Sequence, residues 1–369
     1  MILTIVAFIL ILSVLVLIHE LGHFITAKKF GIKVEEFGFG FPPRVFGLKR
    51  GETIYSINLL PFGGFVKLFG EDEAGGGSLN VKSSNKTIGK DLNRAFFARP
   101  AWQRAIIVFA GVVMNFVLAV ILISYLFAVQ GVALPTKNVK IVEVVKNTPA
   151  QEVGLMVGDV VTNVNGKKIT DTKEFVNLTR QYLGQKITID IKRGDRFISL
   201  VVTPRKDYPK GEGPLGVAIS ATEIKKYSIL EAPFFGTWEA MKFSWIIVTG
   251  LFDMVANLVL HGTRPTGVAG PIGVAQLTGQ AVSYGLNATL WFMALLSLNL
   301  AVLNVLPIPA LDGGRLFFIL IELVTRRKVN QKYETYAHAI GLALLLTLIV
   351  VITFFYILRL LSGKSILQP

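Results

Sequence analysis

Of 369 residues, 52% are hydrophobic and 17% charged, and the mean hydropathy is +0.57, which excludes a soluble chain with one or two cores and reads as a polytopic membrane protein. The formal charge of +14 does not indicate nucleic acid, because lysine and arginine flank apolar runs and form no basic stripe with stacking aromatics. With no cysteine, disulfides and thiolate metal ligands are excluded, so any metal must use His, Asp or Glu.

The first apolar run, residues 1–27, is long enough to cross a bilayer, and Lys28, Lys29 and Lys33 follow it, which puts that end in the cytoplasm. It has no basic start and no small-residue cleavage site before His19, so it reads as a retained span and not a signal peptide. Near its end stands His19-Glu20-Leu21-Gly22-His23. On a helix the two imidazoles lie one turn apart on one face, where their ring nitrogens suit Zn2+, and Glu20 is placed to take a proton from water. Ionisable groups flanked by hydrocarbon are costly and mark function. The motif lacks a third ligand.

Residues 31–100 are mixed. Phe37-Gly38-Phe39-Gly40-Phe41-Pro42-Pro43, the alternation of Ile54, Ser56 and Asn58, and Pro61-Phe62-Gly63-Gly64-Phe65-Val66-Lys67 predict β-hairpins. These either form a small cytosolic sheet or dip into the bilayer with their backbone groups paired. Residues 75–90 read as a flexible polar insert. The second span, 101–130, is entered past Arg94, Arg99 and Arg104 and so leads out of the cell. Within it Gly111 and Asn115 lie one turn apart and read as a helix contact.

From 137 to 222 the chain changes to a soluble module, with a strand at 139–145, a short helix at 149–155, a turn at Asn165-Gly166, a helix at 172–183 and strands at 187–193 and 197–203. This order, and the string from Thr148 to Gly166, resemble a PDZ domain of the bacterial, permuted kind. Such domains bind chain ends by adding a strand to a sheet edge, here beside residues 215–217, unless the module serves only as a steric gate.

The run 234–260 is apolar but interrupted by Glu239, Lys242 and Asp253, as in amphipathic helices at a membrane surface, and a glycine-rich turn follows at 266–273. A third span, 289–306, enters Asn304-Val305-Leu306-Pro307-Ile308-Pro309-Ala310-Leu311-Asp312-Gly313-Gly314, where the prolines stop the helix. Asp312 is the candidate third ligand. It must then lie at the depth of His23, so spans one and three both run inward, and 234–260 stays on the outer surface. Arg326, Arg327, Lys328 and Lys332 agree with a cytoplasmic loop. The last span, 336–361, exits; Arg359 and Lys364 near its outer end fit the rule less well.

Taken together, the helical His-Glu-x-x-His, the Gly-Gly-Phe-Val-Lys hairpin, the inserted module and the Leu-Asp-Gly run resemble the site-2 protease family of intramembrane zinc metalloproteases, of the bacterial RseP type with a single PDZ domain. The resemblance implies His19, His23 and Asp312 as zinc ligands and Glu20 as general base. It further implies that Asn299, Asn304, Pro307 and Pro309, with a strand edge at Gly63, Gly64 and Phe65, hold an unwound substrate helix. Well-known members carry two PDZ modules in tandem where this chain has one, so a shorter one-PDZ relative is the better guide. The implied fold is a polytopic α-helical membrane protein of about four transmembrane helices, with membrane-associated β-hairpins and an inserted α+β PDZ domain. Its parts are an N-terminal membrane part at 1–130, the extracytoplasmic PDZ domain at 136–222, a linker with a surface amphipathic helix at 223–287 and a C-terminal membrane part at 288–369. Expected partners are single-span membrane proteins trimmed beforehand by another protease, such as anti-sigma factors or remnant signal peptides, a peptide or chain end at the PDZ domain, and the lipid bilayer, with no nucleic acid. The expected location is the bacterial cytoplasmic (inner) membrane, with the active site toward the cytoplasm and a role in stress signal transduction. Three readings compete. A prenyl-protein peptidase would use a glutamate ligand and lack the insert, a metal transporter would repeat intramembrane acids, and His261 and His338 stand alone as surface or helix-packing residues. A non-catalytic PDZ-bearing scaffold or chaperone with a metal site would have no need of Glu20.

Overall fold

The computed structural model describes residues 2–71, 92–209, 211–262 and 270–361. The insert at 75–90, the first half of the turn at 266–273 and Lys364 lie outside the described residues. Two compact units emerge, Met1–Leu126 with Ser228–Pro369, and Phe127–Tyr227.

In the first unit, α1 (Ile2–Lys29), α2 (Ala101–Val129), α7 (Leu286–Val305) and α9 (Gln331–Leu361) contain the four runs that, among the described residues, are long and apolar enough to cross a membrane. At 1.5 Å per residue α1 extends about 42 Å, more than the hydrocarbon thickness of about 30 Å. Only 22% of its most apolar window is buried within the protein, so most of its apolar surface is left for lipid. The chain is a membrane protein with additional β structure.

Strands β1 (Val34–Arg50) and β2 (Thr53–Leu68) bend near Pro42-Pro43 and Pro61, residues that cannot donate to a ladder. Four segments therefore lie side by side. Residues 44–50 pair antiparallel with 53–58 and 34–39 pair antiparallel with 64–68, while Glu36↔Ile54 through Phe39↔Ile57 join 34–39 and 53–58 in parallel register. The lower end of this sheet is fixed to the helices by a cluster of Ala27, Ile32, Val34, Leu68, Ile107 and Ile319, all buried. Glu52 adds a clamp: Arg94 first, and then Lys28, hold its carboxyl down to about 2 against the effect of burial.

Downstream, α5 (Ala232–His261) is a single long helix whose Gly236 packs against Ser124 and whose Phe243 ring meets Trp291. A helix with no forerunner in the sequence reading, α6 (Pro271–Ser283), packs against α1 with Gly279 on Thr4. After α7 ends at Val305, the Pro307-Pro309 turn leads into α8 (Asp312–Thr325), so Asp312 opens a helix instead of standing in a loop.

The second unit is a sheet of β3 (Val132–Val144), β4 (Val160–Val164), β5 (Lys167–Lys168), β6 (Ile187–Arg193), β7 (Arg196–Val202) and β8 (Val217–Lys225), with helices α3 (Pro149–Glu152) and α4 (Thr172–Gln181). The order is β7-β6-β4-β3-β8, with β5 on β4, so β8 is an edge strand. Strand β3 starts earlier than its alternation suggests because β8 pairs along it from Val132↔Lys225 to Val144↔Val217. Val139, Ile141, Val161, Phe175, Ile189 and Ile191 form its core. Asn165 and Gly166 both take positive φ at the β4–β5 turn, the conformation that Asn-Gly favours.

Candidate metal centre

The centre is built by one helix crossing. Gly22, inside the His-Glu-x-x-His motif, lets α1 approach α2 so closely that a Cβ there would overlap the Ala110 carbonyl. This approach lays His19 and His23 onto Gly111, where again any Cβ would collide with both rings. The rings meet edge to face, with centroids 4.7 Å apart. A glycine at 111 is thus a condition of the site, since it supplies the space the imidazoles occupy.

Asp312 comes from the other half of the chain. The Pro307-Pro309 turn needs left-handed backbone at Ala310 (φ 80°), and His338 on α9 accepts the Ala310 N–H through Nδ1 at 3.0 Å. Gly341 admits Pro309 so closely that a side chain there would clash. Held in this way, Asp312 places Oδ2 2.7 Å from His19 Nε2 and 3.3 Å from His23 Nε2, and the two Nε2 atoms are 3.1 Å apart. All three donor atoms lie within 4.8 Å of one another. A tetrahedral ion with bonds of about 2.1 Å asks for donors about 3.4 Å apart, and two nitrogens with one carboxylate leave a fourth position open. The residues therefore suit zinc by separation and by chemistry.

Each imidazole has its second nitrogen turned to α2. His23 Nδ1 lies 2.8 Å from the Ile107 carbonyl and His19 Nδ1 lies 3.4 Å from Asn115 Nδ2. Ile107, Gly111 and Asn115 recur every four residues, so one face of α2 backs the whole pair. Glu20, on the adjoining face of α1, accepts the Val66 N–H at Oε2 (3.1 Å), which orients its carboxylate beside the sheet segment 64–68. Farther along α8, Arg315 pairs with Glu71 at 2.6 Å.

Among the residues singled out for substrate, Gly63 and Gly64 pack on Val16 and Leu17, one turn before His19, while the Phe65 ring covers Gly38. Asn299 donates to the Leu295 carbonyl of its own helix at 2.9 Å. Asn304 and Pro309 are half-buried and Pro307 is exposed at the end of α7. His338 is buried, as an isolated helix-packing histidine should be, and it also braces the turn that leads to Asp312. Asn115 touches the His19 ring and not only a helix. Its spacing from Gly111 was the available signal, and the ring beyond that pair was not visible in it.

A protein-family model described as peptidase family M50 matches residues 7–348. A protein of Clostridium perfringens is 38% identical over 92% of this chain and 94% of its own length. The regulator of sigma-W protease RasP of Bacillus subtilis is 30% identical over 97% of this chain and 99% of its own, and a zinc metalloprotease RasP of Shouchella clausii is 32% identical over 97% and 100%. Among solved structures, the PDZ domain of an SdrC-like protein from Listeria monocytogenes aligns with 24% of this chain and 93% of its own at 24% identity, with a TM-score of 0.21.

Proposed function

The chain belongs to peptidase family M50, the site-2 proteases, and is a zinc metalloendopeptidase; from that premise we propose that it cuts the transmembrane segments of single-span membrane proteins, with His19, His23 and Asp312 holding zinc and Glu20 as general base. The observation that carries this reading is the convergence within 4.8 Å of three candidate ligand atoms, two from α1 and one from the start of α8, with the Glu20 carboxylate beside them on a helix long and apolar enough to cross a membrane.

Bound zinc supplies Lewis acidity for the scissile carbonyl and for water. The chain's own residues do the rest. Glu20, oriented by the Val66 N–H, accepts the proton of the attacking water and returns it to the leaving amine. A substrate helix hides its carbonyls in its own hydrogen bonds, and once unwound in lipid it needs replacement partners. Segment 64–68 pairs with 34–39 on one side, and its Val66 amide points to Glu20, so a strand added along it is delivered to the base. Asn299, Asn304, Pro307 and Pro309 hold the other side of that strand.

For topology, α1 and α7 run toward the cytoplasm of the bacterial inner membrane and α2 and α9 run out, so the active site lies toward the cytoplasmic side. Support comes from Lys28, Lys29, Arg94, Arg99 and Arg104 gathered at one end, where Arg104 also pairs with Glu322 of α8 at 2.6 Å. Residues 136–222 act outside the cell as a PDZ domain that takes a chain end along the open edge of β8 near Gly216, and α5 lies on the outer surface. The name of the Bacillus subtilis relative, a regulator of sigma-W, favours substrates in sigma-factor signalling, such as a trimmed anti-sigma factor.

The test is cleavage of a single-span membrane protein by the purified protein in proteoliposomes, with products mapped by mass spectrometry. Cuts inside the apolar span that cease on chelation and return with zinc are expected. Cuts confined to the soluble parts of the substrate would overturn the reading.

A further inference from the structure

Asn115 is fully buried, its Nδ2 is 3.4 Å from His19 Nδ1, and its Oδ1 is buried with no hydrogen-bond partner. In that orientation the amide donates, so His19 Nδ1 must be the bare nitrogen and the proton sits on Nε2, the atom facing His23 and Asp312. A metal ligand needs the opposite tautomer, with Nε2 bare and Nδ1–H held by an acceptor. Rotating the carboxamide by half a turn exchanges two ends of nearly equal size and puts Oδ1 where it can accept Nδ1–H. We propose that Asn115 is a positioning residue whose Oδ1 accepts His19 Nδ1–H and so aims the bare Nε2 at the metal. This rests on the reading of His19 as a ligand.

Two features of the same helix face support it. His23, the partner ligand, has its Nδ1 held by an acceptor two turns earlier, the Ile107 carbonyl, so α2 sets both tautomers from positions eight residues apart. The backbone at Asn115 is pinned as well, because Ser297 of α7 donates to its carbonyl at 2.7 Å. The carboxamide therefore hangs from a fixed backbone position beside the His19 ring.

The experiment measures zinc affinity by chelator competition on the purified full chain, comparing Asn115→Leu, Asn115→Asp and His19→Ala with the wild type. An orienting acceptor is typically worth about 10–100-fold in metal affinity, so Asn115→Leu should lose that much while Asn115→Asp, still an acceptor, stays within a few-fold of wild type. A packing role predicts the reverse order, because leucine fills the buried site and aspartate puts a charge in it. Equal affinity of Asn115→Leu and wild type, or an Asn115→Asp as weak as Asn115→Leu, overturns the proposal. Should Asn115→Leu not fold, Asn115→Ala carries the same expectation. His19→Ala separates the premise: if it keeps zinc, the ligand reading fails, whereas if it loses zinc and Asn115→Leu does not, only the role of Asn115 fails.

Discussion

His19 Nε2 and Asp312 Oδ2 stand 2.7 Å apart although 293 residues separate them in the chain. That contact joins the first span to the start of α8, the helix that follows the third span. If both atoms are ligands, Asp312→Asn keeps the shape of the side chain but replaces an anionic donor by a neutral one. Loss of an orienting partner alone costs about 10–100-fold in metal affinity, so loss of the ligand itself should cost about 100-fold or more. Zinc content after dialysis against a graded series of chelators measures this. A variant that retains zinc like the wild type would remove Asp312 from the centre.

Glu20→Gln should behave differently. Its amide oxygen can still accept the Val66 N–H, so the sheet contact survives, but it cannot accept a proton from water. General-base catalysis is worth about 10²–10⁴-fold, and kcat should fall by that factor with zinc content unchanged. Parallel turnover and metal analysis on one preparation decide the matter. Loss of zinc in step with activity would make Glu20 structural.

These residues differ in how far the sequence disclosed them. His19, Glu20 and His23 were legible because helix periodicity alone places them, and the four apolar runs were legible by length and polarity. Asp312 stood out only through the chemistry of a missing third ligand, and the structure does bring it within reach of both imidazoles. The parallel pairing of 34–39 with 53–58 was hidden, since it depends on two proline bends closing on each other. Helix α6 was hidden too: its Gly279 is explained only by Thr4 of α1, far away in sequence. Asn115 and Gly111 looked like ordinary helix packing because the partner they pack against, the imidazole pair, comes from α1.

Gly111→Ala tests that packing. The added methyl has no free space, because His23 Nε2 and His19 Cε1 already occupy its position. The rings must move or the helices must part. A misplacement of about 1 Å in a catalytic site can cost about 10²-fold in rate, and a loss of that size is expected in kcat/KM, accompanied by weaker zinc binding. Ala110→Gly, which adds space one residue away without touching the rings, should be far milder. A Gly111→Ala protein as active and as tightly zinc-bound as the wild type would show that contact with the imidazoles does not govern the site.

Away from the metal, Asp159 gives the second unit a pH dependence with a defined sign. Burial acts to raise its pKa, but hydrogen bonds from Arg193 Nε (2.7 Å) and Nη2 (2.8 Å), and from the Met156 N–H (2.9 Å), outweigh burial and hold it below the usual carboxylate value. A depressed folded-state pKa means stability that is fully present above the unfolded value, about 3.9, and is lost as the pH falls through the folded one. Asp159→Asn cannot ionise, so it lacks that stability at neutral pH and has none to lose in acid. Hydrogen exchange of the β6 peptides in the full chain should therefore be faster in Asp159→Asn than in wild type at pH 7, and the two should converge as the pH drops below about 4. A gap that stayed constant down to pH 3 would mean that the Asp159–Arg193 pair is not what stabilises this sheet.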